Sequence, residues 1–164
     1  MPVPGYVEFK DSEGSLIPGS VKVAGRKDMC EVMEFDHNVR IPTDQQSGDL
    51  TGVRQHRPVT LVKPYDTASP LLFDALCNGE TLNEVKVHWY RINESGKEEE
   101  YFTHTLKKAK VADMTSFMPN TKDPKKEQFT HMEKVSILYR KITWKHKDNF
   151  EYTDSWTAQE SGGR

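Results

Sequence analysis

A chain of 164 residues is long enough to close one hydrophobic core without disulfide or metal staples, since about 70% of the unfolded surface is buried at this size. Twenty-three basic against 25 acidic residues leave a formal net charge of −2, which gives no global electrostatic reason to seek nucleic acid or anionic lipid. Apolar residues make up only 35% and charged residues 29%, so the core is lean, and association with further copies would complete it.

From the first residue on, Met1 to Lys10 lacks a basic flank leading into an apolar stretch of signal-peptide length, and nowhere do about 18 apolar residues run together. The expectation is therefore synthesis and folding in the cytoplasm, without membrane insertion. Short segments rich in β-branched and aromatic residues follow at Tyr6 to Phe9, Cys30 to Val39, Val59 to Val62, Val85 to Ile92, Tyr101 to Leu106, Val111 to Met118 and Val135 to Trp144. Gly, Pro, Asn and Asp separate them, a spacing that predicts an antiparallel sandwich or barrel.

The stretch from Cys30 to Arg40 divides by alternation into two faces. Glu31, Met33, Phe35, His37 and Val39 share one, and Val32, Glu34, Asp36, Asn38 and Arg40 the other, which is polar for most of its length. Next comes a polar segment from Arg40 to Arg57, far longer than the median connection of about 4–6 residues, and such loops are functional or floppy. One helix is expected after it, with Ser69 as cap, Pro70 in the first turn, Leu71 to Cys77 as body and Asn78-Gly79 as terminator. Asp74 is its only polar interior residue, so it is apolar nearly all round and needs cover on two sides.

A hairpin joins residues 85–92 to 100–106 across Asn93 to Lys97, where Gly96 supplies the positive φ of a tight turn. The Asn93-Glu94-Ser95 sequon reads as turn chemistry alone. Two basic clusters, Lys107, Lys108 and Lys110 and then Lys122, Lys125 and Lys126, are matched by Glu98-Glu99-Glu100 and read as solvated or complementary surface. Beyond residue 157 the strand pattern is lost, so 1–157 is expected as a single domain and Ala158 to Arg164 as a frayed tail.

Catalytic patterns are lacking. The six histidines have no metal-binding spacing, although His88 and His104 are candidates to face one another across the hairpin. There is no nucleophile elbow, phosphate loop or dinucleotide fingerprint. Cys30 and Cys77 form no Cys-x-x-Cys, only Cys77 sits in an apolar run, and both read as reduced and structural. Neither a cofactor nor a metal is expected.

Several blocks carry a resemblance: the opening Met-Pro-Val-Pro-Gly-Tyr, Phe35-Asp36-His37, Ile41-Pro42-Thr43-Asp44-Gln45-Gln46-Ser47-Gly48, Arg54-Gln55-His56-Arg57-Pro58, Pro70-Leu71-Leu72-Phe73, Trp89-Tyr90-Arg91 and Tyr139 to His146. Collinear over residues 1–156, they resemble the haemolysin co-regulated protein (Hcp) family of bacterial type VI secretion systems. The resemblance implies an antiparallel β-barrel of two sheets with one flanking helix, closing into hexameric rings that stack into the inner tube of a contractile injection machine. It implies a structural role without catalysis. Its implied partners are other copies, the sheath, the valine-glycine repeat spike, the baseplate and small effectors in the lumen, with no nucleic acid. The protein would be cytoplasmic before firing and secreted on sheath contraction without a cleavable signal. In that picture Glu34, Asp36 and Asn38 face the lumen. Thr43, Asp44, Gln45, Gln46, Ser47, Gly48 and Asp49 form an inter-subunit or inter-ring loop, and Leu71, Leu72, Phe73 and Leu76 place the helix at a subunit contact. Two other readings compete: a monomeric ligand-binding barrel around Trp89 and Trp144, and a hydrolase with His88, His104 or His131 as base.

Overall fold

In a computed structural model, residues 3–157 are described; the expected tail 158–164 lies outside them. The chain forms β1 (Gly5–Lys10), β2 (Leu16–Ile17), β3 (Cys30–Val32), β4 (Glu34–Asp36), β5 (Val39–Arg40), β6 (Gln55–His56), β7 (Val59–Pro64), α1 (Ser69–Cys77), β8 (Leu82–Ile92), β9 (Glu98–Phe117), β10 (Met132–Leu138), β11 (Lys141–His146) and β12 (Glu151–Ser155). All strand pairs are antiparallel.

The spine is β9, which joins two expected strands into one. Residues 107–110 look like a charged connection in sequence, yet Ala109 is fully buried while its lysine neighbours are exposed, so the period-2 pattern continues through them. At Lys108 the backbone enters the left-handed region, φ +50°, and the strand changes sheets. Its first half pairs with β8 on one edge and β11 on the other. Its second half pairs with β10, which in turn pairs with β7, and β7 with β4. The partner strand breaks at the same level: Tyr139 and Arg140 separate β10 from β11, and the Arg140 amide donates to the Lys107 carbonyl at 3.1 Å.

Closure comes from residues 30–36. β3 pairs with β1 of the first sheet and β4 with β7 of the second, which turns two sheets into a barrel. The alternation read along Cys30 to Arg40 therefore slips once. Cys30 and Val32 point inward on β3, Met33 and Glu34 are both exposed, and Phe35, His37 and Val39 turn inward afterwards. Val32 belongs to the core rather than to the polar face, because the strand rotates as it crosses between sheets, where the Met33 amide donates to the Val62 carbonyl at 2.8 Å. Inside, Phe9, Leu61, Leu106, Ile137 and Ile142 are fully buried, each worth roughly 1.5–3 kcal/mol of transfer free energy.

α1 closes one side. Ala68, not Ser69, is the N-cap, and the Asp66 carboxylate accepts the Ala68 amide at 3.0 Å. Ser69 lies inside the helix because its hydroxyl has a stronger acceptor, donating to Glu133 Oε1 at 2.7 Å. The terminator is as expected: Gly79 has φ +64° and the Glu80 amide donates to the Ala75 carbonyl at 2.9 Å. Beneath α1, cross-strand neighbours Lys63 and Glu133 form an ion pair, both fully buried. Lys63 Nζ also donates to Asp66 Oδ1 at 2.9 Å. Cys30 is buried and burial pushes its thiol well above the ordinary range, whereas Cys77 is exposed. The burial expected from neighbouring residue types is thus reversed: Cys77 sits at the helix end, and Cys30 lies on the inward face of β3.

Lys63→Met leaves Glu133 charged, buried and unpaired, and should cost about 3–5 kcal/mol in chemical denaturation. Adding Glu133→Leu should recover most of that loss; a double variant no more stable than the single one contradicts the pairing.

Candidate assembly surfaces

The polar segment expected as a long loop is the outer half of a hairpin. Its base is the β4–β7 pair, Glu34 opposite Val62 and Asp36 opposite Thr60. Pairing resumes with Val39 opposite His56 and Arg40 opposite Gln55, then with an isolated bridge between Thr43 and Leu50. At the tip, Asp44 and Asp49 exchange a backbone hydrogen bond at 2.8 Å, the Gly48 amide donates to the Asp44 carbonyl at 2.8 Å, and the Gln46 amide donates to the Asp44 carboxylate at 2.8 Å. Gly48 holds φ +75°, which the turn requires and an L side chain disfavours. The site residues Thr43 to Asp49 thus lie together on an ordered tip, exposed throughout.

A chain of polar side chains anchors both arms. Arg54, on the second arm, makes a two-pronged pair with Asp154 of β12, Nε to Oδ2 at 2.5 Å and Nη2 to Oδ1 at 2.8 Å. The Asp154 carboxylate accepts from His56 Nε2 at 2.8 Å. Neutral His56 then has Nδ1 free to accept the Tyr139 hydroxyl at 2.7 Å, and the same hydroxyl oxygen accepts from His37 Nε2, on the first arm, at 2.7 Å. Trp156 stacks on His56 and meets Tyr139 edge-on at 4.9 Å. Burial pushes the Tyr139 phenol far above its ordinary range, and burial together with nearby His56 holds His37 below its own.

Glu34, Asp36 and Asn38 are exposed along the outer side of the hairpin, as the alternation predicts. Their inward neighbours fill the space between the sheets. Phe35 stands 5.0 Å from both Trp89 and His104, and His37 packs on Trp144 at 6.1 Å. The Trp89 indole donates to His104 Nδ1 at 2.9 Å, and burial plus the proximity of His37 pushes His104 down to about 4. Trp89 and Trp144 do face the interior, but that space is taken by hairpin side chains. His88 does not face His104: it lies opposite Thr103, while His104 lies opposite Val87, and adjacent positions point to opposite sides of a sheet. Burial disfavours charged His88, but hydrogen bonds from Glu8 and Glu100 outweigh that and raise it. His131 is exposed and rests 6.2 Å from Tyr65. The three histidines considered as bases therefore occupy three separate places.

On α1, Leu72 is fully buried in the chain's own core with Ser69 and Ala75. It is not available for a contact with another subunit. Leu71 is 45% exposed on the opposite side, and Phe73 and Leu76 are half-buried.

A profile described as "Type VI secretion system effector, Hcp" matches residues 6–146. The chain belongs to the Hcp family. It is 38% identical to the "Major exported protein" of Pseudomonas aeruginosa over 99% of this chain and 100% of that one. Among solved structures, it is similar to Hcp1 from the E. coli EAEC 042 pathovar, with 38% identity, a TM-score of 0.85 and coverage of 94% of this chain and 99% of that one. The secreted protein Hcp3 from Pseudomonas aeruginosa matches at 33% identity and a TM-score of 0.78, covering 94% and 99%. This Hcp chain is a type VI secretion protein with the two-sheet barrel and single helix expected of the family. No helix among its described residues is long and apolar enough to cross a membrane.

Two outcomes test the anchoring. Tyr139→Phe strands one acceptor and one donor and should cost about 1–3 kcal/mol, measured by denaturation; an unchanged midpoint contradicts the network. For the inter-sheet histidines the sign is set by a folded value below the unfolded one. The unfolded chain takes the proton first, so stability falls as pH drops from about 6.5 towards 4, by about 1.4 kcal/mol per pH unit for a histidine held neutral. His104→Gln keeps an acceptor for Trp89 and should flatten that slope; an identical acid profile refutes the assignment.

Proposed function

We propose that this Hcp chain is the structural subunit of a secretion tube: six copies close into a ring, rings stack, and the tube leaves the cell when a surrounding sheath contracts. The observation that carries this reading is the anchored hairpin, whose tip is ordered by its own hydrogen bonds and needs no partner to define its shape. A preformed element loses little conformational entropy when it docks. Thr43 to Asp49 form the contact with a neighbouring subunit or ring. Glu34, Asp36 and Asn38 line a hydrated lumen in which small effector proteins ride. Leu71 and Phe73 of α1 meet the adjoining subunit, now without Leu72. The sheath, spike and baseplate are the remaining partners, and the role is structural rather than catalytic. The protein is cytoplasmic before firing and outside the cell afterwards.

Light scattering of the purified protein at micromolar concentration should give about 113 kDa, six times the 18.9 kDa chain, with annular particles under negative stain. A species of one chain mass at all concentrations contradicts the proposal. Asp36→Arg and Glu34→Arg should reduce effector co-purification several-fold while rings persist; unchanged effector levels in both variants remove these residues from the lumen.

A further inference from the structure

The strands that carry the hairpin tip at one end carry an apolar groove at the other. The register places Glu34, Val62 and Pro64, Met132 and Phe117 together at the base of the hairpin, and the strands run from there towards the tip. At the base, Met33, Phe117, Met118 and Phe129 line an open groove of about 350 Å³ floored by Val62 and Met132. Met118 is 62% exposed and Phe129 43%, a cluster of large apolar side chains that a soluble surface leaves open at an interaction site. The tip has apolar side chains of its own: Leu50 is 65% exposed, Val53 66% and Ile41 41%.

Charge distinguishes the two ends. Between Thr43 and Thr51 the tip carries Asp44 and Asp49 and no cation. Beside the groove, the turn around Pro124–Lys126 carries Lys122, Lys125 and Lys126, all exposed. The Asp123 carboxylate there is turned onto the Lys125 amide at 2.9 Å, which leaves the lysines to set the sign of the rim, with Glu127 and Glu34 as the opposing charges. A tip that is apolar and acidic and a groove that is apolar and basic, at opposite ends of one strand pair, cannot meet within a single chain. They meet when copies stand head to tail, the heterologous arrangement that propagates rather than closing on itself.

We propose that the groove of Met33, Phe117, Met118 and Phe129 is the receptor for the hairpin tip of a second copy in the next ring, Leu50 and Val53 entering the groove and Asp49 meeting Lys125 and Lys126. This rests on the stacked-ring reading above and names the surface that receives the tip.

The test is cysteine pairing in a Cys77→Ser background, since Cys77 is the exposed native thiol and Cys30 is buried. Leu50→Cys and Met118→Cys placed in one chain should give, under mild oxidation of assembled protein, a ladder of covalent products extending past six copies. Either substitution alone should not. Asp49→Lys should lower the cross-linked fraction several-fold and Lys125→Asp/Lys126→Asp should do the same, with partial recovery when all three are combined. Intact rings without cross-links overturn the proposal, and so does a ladder that stops at six, which puts the contact inside a ring. Protein that sediments as single subunits removes the stacked-ring reading itself, and the receptor with it.

Discussion

One hydroxyl holds the hairpin to the barrel. Tyr139 sits at the corner where the second sheet gives way to the first, between β10 and β11, and its oxygen lies 2.7 Å from a histidine on each arm of the hairpin. The direction of every hydrogen bond follows from the ionised carboxylate at the end of the row. Asp154 accepts only, so His56 donates to it through Nε2 and accepts at Nδ1, and the phenol donates there and accepts from His37. Each group has a single role, which makes the arrangement rigid. It also makes it sensitive to protons, because an added proton on His56 would leave the phenol without an acceptor.

The two ends of the barrel interior solve the same packing problem with different chemistry. Under α1 the space between sheets holds Lys63, Asp66, Ser69 and Glu133, whose charges remain and are paired. Towards the hairpin it holds His37, His56, His104, Trp89 and Trp144, with ring faces and edges in contact and imidazoles kept neutral by burial. A lean core of 35% apolar residues is completed by polar side chains that satisfy one another, and these same groups decide where the hairpin and the helix sit.

Much of this architecture was legible in the amino-acid sequence where the pattern is local. The 85–106 hairpin with Gly96, the punctuated helix and the outward carboxylates of residues 34–38 follow from alternation and turn chemistry. What was hidden depends on partners distant in sequence. Val32 changes sides because its strand crosses between sheets. β9 runs through three lysines because Ala109 alone carries the inward period there. Arg54 and His56 look like loop polarity until β12 brings Asp154 to them from 98 and 100 positions away. No spacing rule links such residues, so the anchor, and with it the order of the tip, had no local signal.

For a tube protein of the Hcp family the consequence is that the contact element exists before assembly. Amide hydrogen exchange across residues 41–57 is the most direct measure of this. The account predicts that the Asp44, Gly48, Thr51 and Arg57 amides, all bonded within the hairpin, exchange more slowly than in an unstructured peptide and lose that protection in Tyr139→Phe. Exchange of all four at unstructured-peptide rates, in a chain whose barrel amides remain protected, would contradict it.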